Sequence, residues 1–179
     1  MKRILKSRCR LVLTLCVILF LPVKGSCETR SLEFLKGTWQ VTGVRLDETL
    51  MRTPHYNYND QDLMGNVISF SAKMVQSRMP EAISCRGPIV STETMTLEAL
   101  LDRTMIPKEN VSTRKNRFAL PVDTTKKIDV LWIKCQQGHL GPDTPRGPEG
   151  YNWIAKLSKM KIAMRWYDNT ILLLKRKSN

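Results

Sequence analysis

Few side chains in this sequence are of types that do chemistry, and their spacing decides what each could do. Cys85 and Cys135 stand fifty residues apart and would close a long loop as a disulfide in an oxidising compartment, the alternative being two buried thiols. Zinc would need a second pair of soft ligands, and Cys135 with His139 supplies one pair with no partner pair at zinc-site spacing. His55 and His139 are the only two histidines, and neither stands in a Ser-His-Asp arrangement or beside a nucleophile elbow. Asp60 and Asp62, close to His55, offer an acid–base pair or a weak cation site. No bidentate glutamate follows at calcium-loop distance, and solvated loop carboxylates explain both without chemistry. The reading is therefore non-enzymatic, with no catalytic residue, cofactor or metal assigned.

His55, Tyr56 and Tyr58 suit a different role, because rings with one polar end favour a ligand entrance or an interface. With His139 they are the candidate residues of a ligand mouth. His139 also belongs to a second candidate feature: the run Gln136 to Gly150, "QQGHLGPDTPRGPEG", holds four glycines and three prolines in fifteen residues. A loop of that length often forms a lid or binding loop, and inconsequential disorder is the alternative.

The N-terminus bears on where this chemistry would operate. Lys2, Arg3, Lys6, Arg8 and Arg10 precede twelve uncharged residues, Leu11 to Pro22. That is the basic and apolar pattern of a secretory signal, and too short a stretch for a membrane span of about 20 residues. Val23-Lys24-Gly25-Ser26-Cys27 allows cleavage after Gly25 or after Cys27. A third reading makes Cys27 a lipid-modified first residue, although Lys24 stands where a lipobox has an aliphatic. The expected organisation is a signal peptide at 1–26 and one domain at 27–179, periplasmic or secreted, with any membrane contact through the signal or a lipid anchor.

The formal charge of +13 falls to +7 once the six basic residues before Cys27 are removed. Lys156, Lys159, Lys161, Arg165, Lys175, Arg176 and Lys177 concentrate the excess near the C-terminus, opposed only by Asp168. An exported protein does not normally meet nucleic acid, so this run would meet an anionic envelope surface or an acidic partner, or simply remain a solvated edge. About 153 residues fit one domain burying around two-thirds of its unfolded surface. Asn110-Val111-Ser112 is a glycosylation sequon that matters only in a eukaryotic secretory pathway.

The elements that must position these residues are mostly strands. "FLKGTWQVTGVRL", Phe34 to Leu46, alternates with Trp39 and Val41 on one face, then changes phase at Gly43, which predicts a bulge there. Arg52 to Gly65 reads as a polar and aromatic loop, and "NVISFSAKMV" as one strand with Ile68 and Phe70 inward. Leu97, Leu100, Leu101 and Met105 fall at helical spacing between Thr94 and Ile106, closed by Pro107. Ile128 to Cys135 is apolar on both faces and predicts a central strand. Asp168-Asn169 predicts a two-residue hairpin turn that pairs Trp166 with Ile171 and Met164 with Leu173 on one face. Five or more strands, one short helix and a terminal hairpin make an antiparallel sheet that can cover its edges by closing on itself.

Gly37-Thr38-Trp39 resembles the Gly-x-Trp motif that opens the first strand of lipocalins and related calycin barrels. The resemblance extends to a basic residue on the last strand, Arg176 or Arg165, which in such barrels packs over the tryptophan and closes one end. It implies a mainly β fold, an antiparallel up-and-down lipocalin-like barrel with one short helix, in which Gly37, Trp39 and Arg176 are structural. It also implies an exported binding protein for an apolar or amphipathic small molecule in the cell envelope. The alternative function is an envelope inhibitor or immunity-type protein acting by protein–protein contact.

Overall fold

The computed structural model describes residues 32–47, 54–81, 83–105, 117–142 and 151–178. The signal segment, Cys27, the sequon at Asn110 and residues 143–150 of the glycine-rich loop lie outside the described residues. Eight antiparallel strands close in sequence order into a barrel. They are β1 (Gly37–Arg45), β2 (Val67–Phe70), β3 (Met74–Ser77), β4 (Ser84–Thr96), β5 (Lys127–His139), β6 (Asn152–Lys156), β7 (Lys161–Arg165) and β8 (Ile171–Arg176). In such a ring the odd strands all start at one end, here called the base, and finish at the other, here called the loop end.

The phase change in β1 is a bulge against β8, between Val41 and Gly43. Trp39 and Val41 point inward, Thr42 is the extra residue, and Val44 returns to the interior. β5 is apolar on both faces for the reason its sequence suggests. Leu131 and Ile133 face the barrel interior, while Val130 and Trp132 face a second apolar layer outside it.

That outer layer is the helix Leu97–Thr104 laid against β5 to β8. Thr96 caps its start by accepting a hydrogen bond from the Ala99 amide at 3.1 Å, and Glu98 complements the dipole in its first turn. Leu97, Leu100 and Leu101, with Met105 and Phe118, pack on Trp132, Trp153, Ala155 and Ala163. The two alanines keep this outer face low enough for a helix to approach. Arg117 donates to the carbonyls of Leu101 and Met105 at the helix's far end and forms an ion pair with Asp47 at 3.5 Å.

Three expectations are corrected. The run 66–75 is a hairpin, because Ser71 turns the chain: its hydroxyl bonds to both the amide and the carbonyl of Met74. The first four residues of the glycine-rich loop, Gln136 to His139, continue β5. The last hairpin turns through three residues, Tyr167–Asn169, with Asp168 and Asn169 at φ 54° and 55°. The register is therefore one residue off the expected one: Met164 faces Leu172 and Arg165 faces Ile171. Leu172 and Leu174 enter the barrel, and Ile171 and Leu173 meet the helix layer.

Gly138 makes the long β4–β5 ladder feasible. Its φ is +74°, and a Cβ there would lie 1.8 Å from the Ser84 carbonyl oxygen. Gly138→Ala is expected to lose at least about 1 to 2 kcal/mol from the left-handed backbone alone, with the steric overlap added. Gly87→Ala should lose less, because its added methyl meets the flexible Gln136 side chain rather than backbone. Urea melts of the two variants would rank them, and an unchanged Gly138→Ala would mean the strands do not approach this closely.

Candidate functional site: the two ends of the barrel

Gly37, Trp39 and Arg176 come together at the base. The Trp39 ring is fully buried, and its Nε1 donates to the Leu35 carbonyl at 2.7 Å, fixing a helical turn at 32–35 beneath the barrel. The Arg176 guanidinium lies 4.3 Å from the Trp39 ring centre and donates to the carbonyls of Phe34 and Lys36. Phe34 completes the stack, 5.8 Å from Trp39 and 5.7 Å from Arg176. Gly37 has φ +118°, and a Cβ would come within 3.1 Å of the Arg176 guanidinium. The conformation thus calls for glycine, and an added methyl would also press on the guanidinium. Arg165 is buried at the other end of its strand and takes no part in this closure.

Cys85 and Cys135 form a disulfide between β4 and β5, with Cα atoms 5.1 Å apart. Cys85 is fully buried within the barrel.

At the loop end, the four candidate mouth residues part company. Tyr56 is buried with the interior cluster: the segment 54–66 folds back along β1, and Tyr56 and Leu63 pack into the barrel there. The contact is a substitute for strand pairing, since β2 reaches only the first four residues of β1. Val41 exchanges backbone hydrogen bonds with Gly65 and Asn66, while the Val44 carbonyl accepts from the Asn59 amide and the Val44 amide donates to the Asn59 side-chain oxygen. His55 is exposed, its ring edge-on to Tyr56 at 4.8 Å, and its amide donates to the Asp168 carboxylate at 2.6 Å. His139 is exposed at the end of β5, opposite Ser84. Tyr58 is 53% exposed and lies under the Arg45 guanidinium at 4.5 Å, a contact the sequence reading missed.

Among the described residues, no hydrogen bond or ion pair joins Asp60 or Asp62 to His55. Both Asp60 oxygens accept backbone amides, from Asn57 at 2.9 Å and Asp62 at 3.0 Å, so this carboxylate staples the loop. Among the described residues, no group of three histidine, cysteine, aspartate or glutamate side chains could hold a metal. Among them, too, no helix is long and apolar enough to cross a membrane.

Among the described residues the interior is closely packed: Trp39, Val44, Leu63, Ile68, Val75, Ile154, Ile162, Trp166 and Leu172 have no accessible area, so no space large enough for a water molecule borders these nine. A chamber of about 300 Å³ or more, as small-molecule sites usually have, would expose several. No family model, curated protein or solved structure matches the chain.

Proposed function

We infer that this is a lipocalin-like barrel that has given up its chamber and works from its outside. It is an exported, non-enzymatic module of the envelope inhibitor or immunity type, which recognises a partner protein with its loop end. The observation that carries this reading is the filled interior. It is supported by the pre-formed Arg45–Tyr58 stack on the rim, since tyrosine and arginine are the residue types on which protein interfaces most often depend. Asn59 holds that stack in place: its side-chain oxygen accepts from both the Val44 amide at 3.1 Å and Arg45 at 2.6 Å. The basic leader-like N-terminus supports export.

A photo-crosslinking residue at position 58 is expected to trap one protein partner, and the same residue at Ile89, on the outer wall, to trap none. An environment-sensitive apolar dye should show no uptake. Saturable one-to-one uptake, displaced by a lipid extract, would overturn the reading in favour of carried cargo. One feature favours that second reading: Tyr56 Oη and Trp166 Nε1 are buried in the upper barrel without a hydrogen-bond partner. A polar head on a cargo molecule would satisfy them if the 54–66 segment swung out.

A further inference from the structure

We propose that the base of the barrel is a docking surface for an anionic lipid bilayer. The barrel topology gathers there the lysines that are scattered in sequence. Lys161 opens β7, Lys175 lies near the end of β8 and Lys177 follows it, while Lys159 and Met160 form the β6–β7 turn. Backbone hydrogen bonds hold these pieces together: Arg176 donates to Met160 at 3.0 Å and Lys177 to Thr38 at 2.8 Å.

Two features of this surface call for an external anion. Lys161 and Lys175 are direct register partners, both exposed on the same outer face. Like charges in that position destabilise a strand pair, and the chain does not relieve them. Of the acids described at this end, Glu33 pairs with Lys36 at 3.8 Å, Asp129 with Lys156 at 3.5 Å and Asp123 with Lys126 at 3.8 Å, and Glu98 sits in the first turn of the helix, where it complements the dipole. Among the described residues, Lys159, Lys161, Lys175 and Lys177 form no ion pair. The second feature is a recess of about 210 Å³ between Gln40, Lys175, Arg176, Lys177 and Ser178. It is open to solvent and large enough for a phosphate group. The Arg176 guanidinium is already held by two carbonyls, so Lys175 and Lys177 supply the free charge.

The composition of the surface selects lipid over an acidic protein. Met160, 42% exposed, sits between Lys159 and Lys161 at the tip of the turn. An apolar tip flanked by long amphipathic cations suits the headgroup boundary, where methionine enters and lysines keep their ammonium groups among phosphates. Protein interfaces, by contrast, are depleted in lysine. Docked this way, the barrel points Tyr58 and Arg45 away from the bilayer. The proposal does not depend on the partner-protein reading above, and it extends membrane contact beyond a leader or a lipid on Cys27.

The test is co-sedimentation of the purified full chain with vesicles of phosphatidylcholine alone or with about a third phosphatidylglycerol. Binding should require the anionic lipid and fall steeply between about 0.1 and 0.5 M salt. Lys161→Gln with Lys175→Gln should weaken it roughly 25-fold, at about fivefold per lysine, and Met160→Asp should weaken it further. All three positions are exposed, so melting temperatures should not drop, and the lysine pair should melt no lower than the parent. Equal binding to both vesicle types, or anionic binding indifferent to these lysines, would overturn the proposal. So would binding to soluble polyglutamate with the same lysine dependence and no vesicle binding. None of these results touches the loop-end crosslink, so the two readings fail separately.

Discussion

Trp39→Ala is expected to lower the unfolding free energy by about 3 to 5 kcal/mol, the range for removing a large buried aromatic side chain. The ring has no accessible surface, so the whole side chain leaves a cavity. The loss also reaches outside the barrel. Without the indole N–H, the Leu35 carbonyl loses its donor, and the turn beneath the barrel loses its tie to β1. Arg176 would keep its carbonyl partners but lose the ring it covers. A double-mutant cycle with Arg176→Ala should therefore show a coupling of about 0.5 to 2 kcal/mol between the two residues. Trp39→Phe separates the contributions, because it restores most of the apolar volume and none of the hydrogen bond. Guanidinium melts would measure the parent and all four variants. A loss below about 1 kcal/mol for Trp39→Ala would mean that the ring is not the plug of the barrel.

This closure is legible in the sequence because it rests on residue identity. Glycine, tryptophan and arginine each have a property that no neighbour replaces: a φ of +118°, a large ring and a planar cation. The outer helix and both faces of β5 are legible for a different reason, since burial on a helix or on a two-sided strand leaves a period in the apolar residues. β4 leaves no such trace. Gly87 and Pro88 sit in its first half and read as a break, and Cys85 and Val90 are its only buried residues. β3 is hidden by its turn, because Ser71-Ala72-Lys73 contains neither glycine nor proline. The terminal hairpin shows how small an error matters. Both turn residues with positive φ are foreseeable, but one further residue in the turn moves every side chain of β8 to the other face.

The loop end is less legible than the base because it depends on tertiary contact. The segment 54–66 has the composition of a solvated loop, and most of it is exposed. Tyr56 and Leu63 become core residues only because β2 is too short to pair with all of β1 and the loop takes over its hydrogen bonds. Tyr58 meets Arg45 for the same reason, through Asn59. The basic base lies between these cases. Its charge is obvious in the C-terminal residues, whereas its focus around Met160 and the Lys161–Lys175 pair requires the register.

Removal of the disulfide is the second large effect. Cys85→Ala with Cys135→Ala should lower stability by about 4 kcal/mol, the chain-entropy value for a loop of this size, since the bond spans fifty residues. The two strands it joins already share the longest ladder in the barrel, twelve register pairs from Ser84–His139 to Thr96–Lys127. The bond therefore adds little to the order of the folded sheet, and its effect falls on the unfolded chain, which it keeps from separating β4 and β5. Alanine is the right replacement at position 85, because that side chain is fully buried and a serine hydroxyl there would add a desolvation penalty of its own. At about 2 to 4 °C per kcal/mol for a chain of this length, the melting temperature should drop by roughly 8 to 16 °C. A reductant should shift the parent protein by the same amount and leave the double variant where it is. If the two cysteines are found as free thiols under non-reducing conditions, or if the double variant melts with its parent, the barrel is held shut by its ladder alone.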